Sequence, residues 1–197
     1  MNSILSYSVH SQNNNEHNLT SAPILYPGKP PLKAIDIKSM PIKLPSTGSI
    51  HVVSFLNRHS GDTIKLWAEY LPLIKLKNSR IQFTNIVFPG GLFFMIPKSK
   101  AMAKIRKTIS NQIMRFQNDW SIEEKISYQN LKVYWTIDFK RKLFKTYGLN
   151  SKYSYLFLIN SQGQLVKKLR QDDHIQMQNF LKLLLNEIER TSLIPEG

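Results

Sequence analysis

The sequence predicts an α/β fold, in which a mixed β-sheet carries helices on both faces and a basic helical insertion. Three observations support this prediction. In the first part of the chain, short β-branched and aromatic segments alternate with segments of helical periodicity. Near the end, two strand-like segments flank the turn Ser-Gln-Gly-Gln, and a helix follows them. Between residues 70 and 118 there is no Asp or Glu, but there are nine Lys or Arg.

The 197 residues suffice for one domain with tails. Residues 1–22 are rich in Ser and Asn and are predicted to be disordered. Residues 23–48 are rich in proline, which predicts an extended lead-in with one short strand near residues 34–38. We therefore expect the folded domain over residues 49–190 and a tail over residues 191–197.

The first predicted elements are a buried strand over residues 50–56 and a helix that Ser60 or Asp62 caps. This helix ends or kinks at Pro72. Its apolar residues recur at steps of three and four: Ile64, Trp67, Leu71 and Ile74. A second strand is predicted over residues 80–88.

A long helix is predicted over residues 99–116, inside the acid-free segment. Apolar residues form one stripe along it: Met102, Ile105, Ile109, Ile113 and Phe116. Lysine and arginine occupy its other faces. The polar residues 118–130 are predicted to form a loop or a short helix.

The remaining elements are a strand over residues 131–137, a short helix that Gly148 ends, a hairpin over 153–160 and 164–170, and a helix over 175–190. Parallel strands come first, and an antiparallel pair and a helix come last. This order predicts the thioredoxin-like topology.

The composition excludes several kinds of chemistry. The chain has no cysteine, so it has no disulfide, no catalytic thiol and no Cys-ligated metal. The net charge of +14 favours an acidic partner, such as an anionic membrane, nucleic acid or an acidic protein, and also suits a protein of the mitochondrial matrix. No apolar run is long enough to span a membrane. The first 22 residues lack Lys and Arg, so they are a weak targeting signal.

The turn after the first strand occupies the position where a thioredoxin-like enzyme carries its cysteines. Here it contains His59, which no second histidine or acidic pair accompanies. Thiol redoxins also place a cis-proline opposite this turn, at a position that matches Ser154. Because both halves of the redox site are absent, we predict a protein that is not an enzyme and has no catalytic residue, metal or cofactor. Ser60 and Asp62 are interpreted as helix caps, and His59 as a hydrogen-bonding turn residue.

The predicted partner- and membrane-binding surface lies in the acid-free segment. It comprises the apolar residues Leu92, Phe93, Phe94 and Met95, and the cations Lys98, Lys100, Lys104, Arg106 and Lys107. A basic amphipathic helix of this kind adsorbs to anionic lipid or holds a hydrophobic partner. Two other interpretations remain open. The stripe is also consistent with an ordinary core face beside solvated lysines, and the cations with RNA phosphate binding.

Four segments of the chain resemble the mitochondrial ATP synthase assembly factor family, the chaperones for subunit 6 (subunit a) of Fo. These segments are "VSFLNRHSGD", "IQFTNIVFPGGLFFMIPKSKAMAKIRKTI", "DFKRKL" and "YLFLINSQG". The resemblance implies a thioredoxin-like fold without redox chemistry, peripheral attachment to the matrix side of the mitochondrial inner membrane, and binding of newly made subunit 6.

Two other functional classes stand beside this one. An RNA- or mitoribosome-associated basic protein would use the same positive face, with Phe93, Phe94, Tyr134 and Trp135 stacking on bases. A peroxidase or transferase without cysteine would need a nucleophile constellation that the sequence does not show.

Overall fold

The computed structural model describes residues 32–35, 41–44, 48–57, 80–90, 93, 95–118, 120–129, 132–170 and 174–192. Two strands form a hairpin, β1 (Leu32–Ile35) and β2 (Pro41–Leu44). Five strands form the main sheet: β3 (Ile50–Leu56), β4 (Ile81–Val87), β5 (Lys132–Ile137), β6 (Tyr155–Ile159) and β7 (Leu165–Arg170). The helices in these ranges are α1 (Lys98–Asn118), α2 (Ile122–Gln129), α3 (Lys142–Thr146) and α4 (His174–Ser192).

The main sheet has the order β5-β4-β3-β6-β7. Strand β4 is parallel to both β3 and β5, whereas β6 is antiparallel to β3 and to β7. This mixed sheet confirms the predicted α/β class and the thioredoxin-like order of parallel and antiparallel strands. Every residue of β3 is buried, because β3 lies at the centre of the sheet and both of its faces are covered.

One face of the sheet packs against α3 and the hairpin. Phe55 lies at its centre, and the rings of Phe144, Tyr147 and Phe157 approach it edge-on at 5.2, 5.7 and 5.5 Å between ring centres. The hairpin adds three buried side chains to the same core, Leu32, Ile42 and Leu44. Part of the proline-rich lead-in therefore belongs to the core of the domain.

The other face packs against α4. Met177, Phe180, Leu181 and Leu184 recur at helical spacing and contact the apolar residues of β3, β4, β6 and β7. They confirm the predicted terminal helix, with Phe180, Leu181 and Leu184 on its inner face as expected, whereas Leu185, which the apolar spacing also predicts to face inward, is 43% exposed. Helices therefore cover both faces of the sheet, which is the layer arrangement expected from the sequence.

In the lead-in, residues 23–48, the sequence predicts a single strand near residues 34–38. Two strands form instead, because the alternation in Pro41–Leu44 buries Ile42 and Leu44 while Lys43 stays exposed. Pro41 is tolerated as the first residue of β2, where it need not donate to the ladder.

Helix α1 begins and ends within two residues of its predicted bounds. Its inner side is formed by Ala101, Ile105 and Ile109, which are all buried, while Met102 is half-buried. Of the predicted stripe, Ile105 and Ile109 are therefore buried, and the side chains of Ile113 and Phe116 lie outside the described part of the structure. No helix in the described ranges is both long and apolar enough to cross a membrane.

Candidate functional site

The residues that directly follow β3, β4 and β5 lie at one edge of the sheet. These three strands are parallel, so their carboxyl ends lie side by side. Two backbone hydrogen bonds extend the pairing past the strands: Phe88 donates to the Leu56 carbonyl at 2.8 Å, and Asp138 donates to the Val87 carbonyl at 2.9 Å. This edge is where a thioredoxin-like enzyme would hold its redox groups, and it is the start of the predicted partner-binding segment.

Asn57, directly after β3, is tied to the segment that precedes β6. Its backbone N–H donates to Ser154 Oγ at 3.3 Å, and its Nδ2 donates to the Lys152 carbonyl at 2.6 Å. Ser154, at the position matched to the redoxin proline, is buried. The Lys152 carbonyl at this edge is therefore already hydrogen-bonded within the chain. His59, Ser60, Asp62 and the predicted helix with Trp67 lie outside the described residues.

A second structured turn follows β5. The Asp138 carboxylate accepts three backbone N–H bonds, from Lys142 at 2.8 Å, Leu143 at 2.9 Å and Phe144 at 3.1 Å. These bonds satisfy the first free donors of α3, which explains why the helix begins at Lys142 rather than at Asp138. The helix ends as predicted at Gly148, whose φ of 63° is left-handed.

Between Asp138 and α3, Arg141 adopts a left-handed backbone with φ 55° and ψ 23°. Its guanidinium carbon lies 4.6 Å from the ring centre of Phe88, the first residue after β4. Asp138 and Arg141 lie in "DFKRKL", one of the four segments that resemble the assembly factor family, but the sequence alone assigns neither of them a role. The signal that could have found them is an acidic residue directly after a strand and four residues before a short helix.

The apolar part of the predicted surface is exposed where it is described. Met95 has 81% of its surface exposed, Ile96 is also exposed, and Phe93 is half-buried. Leu92 and Phe94 lie outside the described residues. Met95 and Ile96 are therefore two consecutive exposed apolar residues directly before Pro97 and α1.

The cationic part of the predicted surface is exposed in full, at Lys98, Lys100, Lys104, Arg106 and Lys107. Ile105 and Ile109 of the same helix are buried, so α1 presents these cations outward on a side different from these two residues. Lys104 Nζ lies 5.9 Å from the ring centre of Phe93 and so links the helix to the apolar segment. The described part of α1 therefore combines two buried residues of the predicted stripe with five exposed cations.

The sequence analysis missed part of the exposed apolar surface. Ile122 has 76% of its surface exposed, and Ile126, one turn further along α2, is exposed as well. Met114 near the end of α1 is also exposed. The spacing of Ile122 and Ile126 is helical, but the polar composition of residues 118–130 predicts either a loop or a short helix there. The insertion between β4 and β5 thus carries exposed apolar residues at several places.

In the described ranges, no group of three or more His, Cys, Asp or Glu side chains is placed to hold a metal ion. The histidine of β3, His51, is fully buried in the sheet. The described arrangement suits the binding of an apolar and anionic partner. With no cysteine in the chain, the thiol chemistry associated with this fold is excluded.

Comparison with known proteins supports the fold. No family model matches the chain, and no curated protein matches it. A solution structure assigned as a thioredoxin from Neisseria meningitidis is similar at 12% identity with a TM-score of 0.50, over 84% of this chain and 91% of that one.

Two further structures give lower scores. One, assigned as the thiol:disulfide interchange protein DsbE of Chlorobium tepidum, has 15% identity and a TM-score of 0.47, over 81% of this chain and 94% of that one. The other, the exposed lipoprotein thioredoxin Etrx1 of Streptococcus pneumoniae, has 17% identity and a TM-score of 0.45, over 78% and 98%. The strand order and the Neisseria structure establish a thioredoxin-like fold, while the resemblance to the assembly factor family stays a prediction.

Proposed function

We propose that this protein is a non-enzymatic assembly factor of the mitochondrial F1Fo ATP synthase that binds newly made Fo subunit 6 at the matrix face of the inner membrane. The observation that carries the proposal is the exposed pair Met95 and Ile96 directly before a helix whose outer side is cationic. The resemblance of four sequence segments to the assembly factor family supplies the identity of the client.

The charge pattern supports peripheral attachment to a membrane. Each lysine or arginine close to an anionic membrane surface contributes about 1 kcal/mol of attraction. Five such side chains are exposed between residues 98 and 107, and no acidic residue lies among them. Exposed apolar side chains next to them would enter the boundary between headgroups and acyl chains or contact an apolar client.

The thioredoxin-like scaffold supports a binding role without redox catalysis. The chain has no cysteine, and the end of β3 is hydrogen-bonded to the segment before β6 through Asn57. The predicted working surface lies instead in the insertion between β4 and β5, away from the hairpin at the end of the sheet.

Fractionation tests the compartment and the attachment together. We expect the protein in mitochondria, protected from protease until the inner membrane is opened, and released by a carbonate wash. Deletion of the gene should destabilise subunit 6 and stop ATP synthase assembly. Stable subunit 6 and a fully assembled enzyme in the deletion strain would refute the proposed function.

The membrane fractions and the purified protein also test the RNA-binding alternative. The aromatic rings that would stack on bases are half-buried at Phe93, Tyr134 and Trp135, and Tyr134 packs against the core. If the purified protein is retained on RNA with a steep salt dependence, and is absent from membranes, the RNA-associated role replaces the proposed one.

A further inference from the structure

Arg141 has the one left-handed backbone found among the described residues other than glycine. This conformation costs an L-residue about 1–2 kcal/mol, so the surrounding structure must hold it. Two hydrogen bonds do so: the Arg141 N–H donates to the Asp138 carbonyl at 3.3 Å, and the Lys145 N–H donates to the Arg141 carbonyl at 2.9 Å. The start of the Arg141 side chain is therefore fixed in direction by the backbone.

The far end of the side chain is held as well. The guanidinium lies over the ring of Phe88, which is 5% exposed. That ring in turn meets Phe144 edge-on at 6.1 Å between ring centres. A guanidinium placed over an aromatic ring keeps its N–H donors at its periphery, where they can take a planar anion in two parallel hydrogen bonds.

Arg141 forms no ion pair within the described part of the chain. The acidic residue nearest to it in sequence, Asp138, is buried and bonded to three backbone N–H groups. Arg190, by comparison, pairs with Glu187 at 3.2 Å. The backbone donors at the start of α3 are also occupied by Asp138, so these three N–H groups are not available to an anion.

The position of Arg141 links it to the proposed binding surface. The segment from Phe88 to Phe93 has a cation over an aromatic ring at each end, Arg141 over Phe88 and Lys104 over Phe93. This segment leads directly to the exposed Met95. Along the chain, Met95 therefore follows by two residues a segment whose first and last rings each contact a cation.

We propose that Arg141 binds a carboxylate of the polypeptide that occupies this surface. A guanidinium of fixed position suits an anion that accepts two parallel hydrogen bonds in one plane, as a carboxylate does. The identity of the polypeptide rests on the proposed function. The carboxylate site itself does not, because it follows from the geometry at Arg141 and Phe88.

Nuclear magnetic resonance of the full chain tests this site with simple anions. Propionate, inorganic phosphate and chloride are titrated at equal ionic strength, and the arginine Nε–H signals are followed. The Arg141 signal is the one lost in Arg141→Asn, since asparagine tolerates the left-handed backbone and keeps the fold. We expect a saturable shift of this signal with propionate and a smaller one with chloride.

A conservative variant separates the planar guanidinium from its charge. In Arg141→Lys, the affinity for propionate, measured at the Lys142 amide, should fall roughly tenfold, as expected for the loss of one charge-assisted hydrogen bond. Arg106→Lys, at an exposed arginine of α1, is the matched control and should change nothing. The inference is overturned if the Arg141 signal does not move, if chloride moves it equally, or if phosphate binds more tightly than propionate. Failure of the proposed function would appear separately, as unaltered subunit 6 in the deletion strain.

Discussion

The side-chain amide of Asn57 donates a hydrogen bond of 2.6 Å to the backbone carbonyl of Lys152, 95 residues later in the chain. The same residue's backbone N–H donates to Ser154 Oγ. Together these bonds join the end of β3 to the approach to β6, at the edge where related folds carry redox chemistry. Asn57 thus stabilises this edge within the chain itself.

Replacement of Asn57 should reduce stability. Asn57→Ala removes the side-chain bond, and we expect the free energy of unfolding in urea to fall by about 1 kcal/mol. Asn57→Asp should cost more, because a carboxylate oxygen would then face the Lys152 carbonyl. Asn111→Ala, at an exposed site of α1, is the control and should stay within about 0.5 kcal/mol of the unsubstituted protein. Equal stability of Asn57→Ala and the control would contradict the role assigned to this bond.

Asp138 should be more important than Asn57, since its carboxylate satisfies three backbone donors, of which the Phe144 N–H is buried. Asp138→Ala leaves these donors unsatisfied, and we expect a loss of about 2 kcal/mol in the free energy of unfolding. Asp138→Asn keeps one acceptor oxygen, so its free energy of unfolding should lie between those of Asp138→Ala and the unsubstituted protein. Chemical denaturation of the three proteins measures the order. If alanine and asparagine are equally stable, the capping role is wrong.

Much of the main sheet could be predicted because its signals are local. The residues of β3 form a continuous apolar run, which is typical of a central strand. Gly148 and Gly163 have positive φ at the two turns where the sequence predicts a glycine with a left-handed backbone. The outward direction of the α1 cations follows from the period of its apolar residues.

Other features depend on contacts that sequence periodicity does not contain. The hairpin of β1 and β2 forms because Leu32 and Leu44 pack on a sheet whose strands lie far away in the chain. The role of Asp138 depends on the direction of the turn after β5, and the placement of Arg141 depends on the ring of Phe88 from another strand. In such places tertiary contacts decide the local conformation.

The buried phenol of Tyr147 makes the stability of the fold vary with pH in the alkaline range. Burial raises the pKa of Tyr147 from its ordinary 10.0 to about 12. The folded state therefore keeps this proton more tightly than the unfolded state. Its contribution to stability is fully present below pH 10 and is lost as the pH rises from about 10 towards 12, by a total of about 3 kcal/mol.

Urea unfolding between pH 9 and pH 12 measures this effect. Tyr147→Phe lacks the titrating hydroxyl. The difference in free energy of unfolding between this variant and the unsubstituted protein should therefore change across that range. Tyr153→Phe, at an exposed tyrosine, is the control and should follow the unsubstituted protein. A constant difference between Tyr147→Phe and the unsubstituted protein would show that the phenol titrates alike in both states.

The cationic side of α1 should govern attachment to anionic lipid. Replacing Lys98, Lys100 and Lys107 together with glutamine removes about 3 kcal/mol of attraction, at about 1 kcal/mol for each lysine, so affinity for phosphatidylglycerol vesicles should fall roughly 100-fold. Sedimentation with vesicles at low and high salt measures this affinity. High salt should also weaken the binding of the unsubstituted protein, because ions screen the same attraction. The control replaces three exposed lysines elsewhere with glutamine: Lys43, Lys145 and Lys182.

The exposed apolar pair should contribute to the same attachment in a different way. Met95→Ser combined with Ile96→Ser removes apolar area, so vesicle binding should weaken at all salt concentrations alike, because apolar contact is not screened by ions. Met114→Ser, at another exposed methionine, distinguishes this segment from the rest of the insertion. If the control triple variant loses as much binding as the α1 variant, attraction is a property of the net charge of +14 rather than of this surface. If the Met95 and Ile96 variant binds fully, these side chains do not contribute to attachment to lipid.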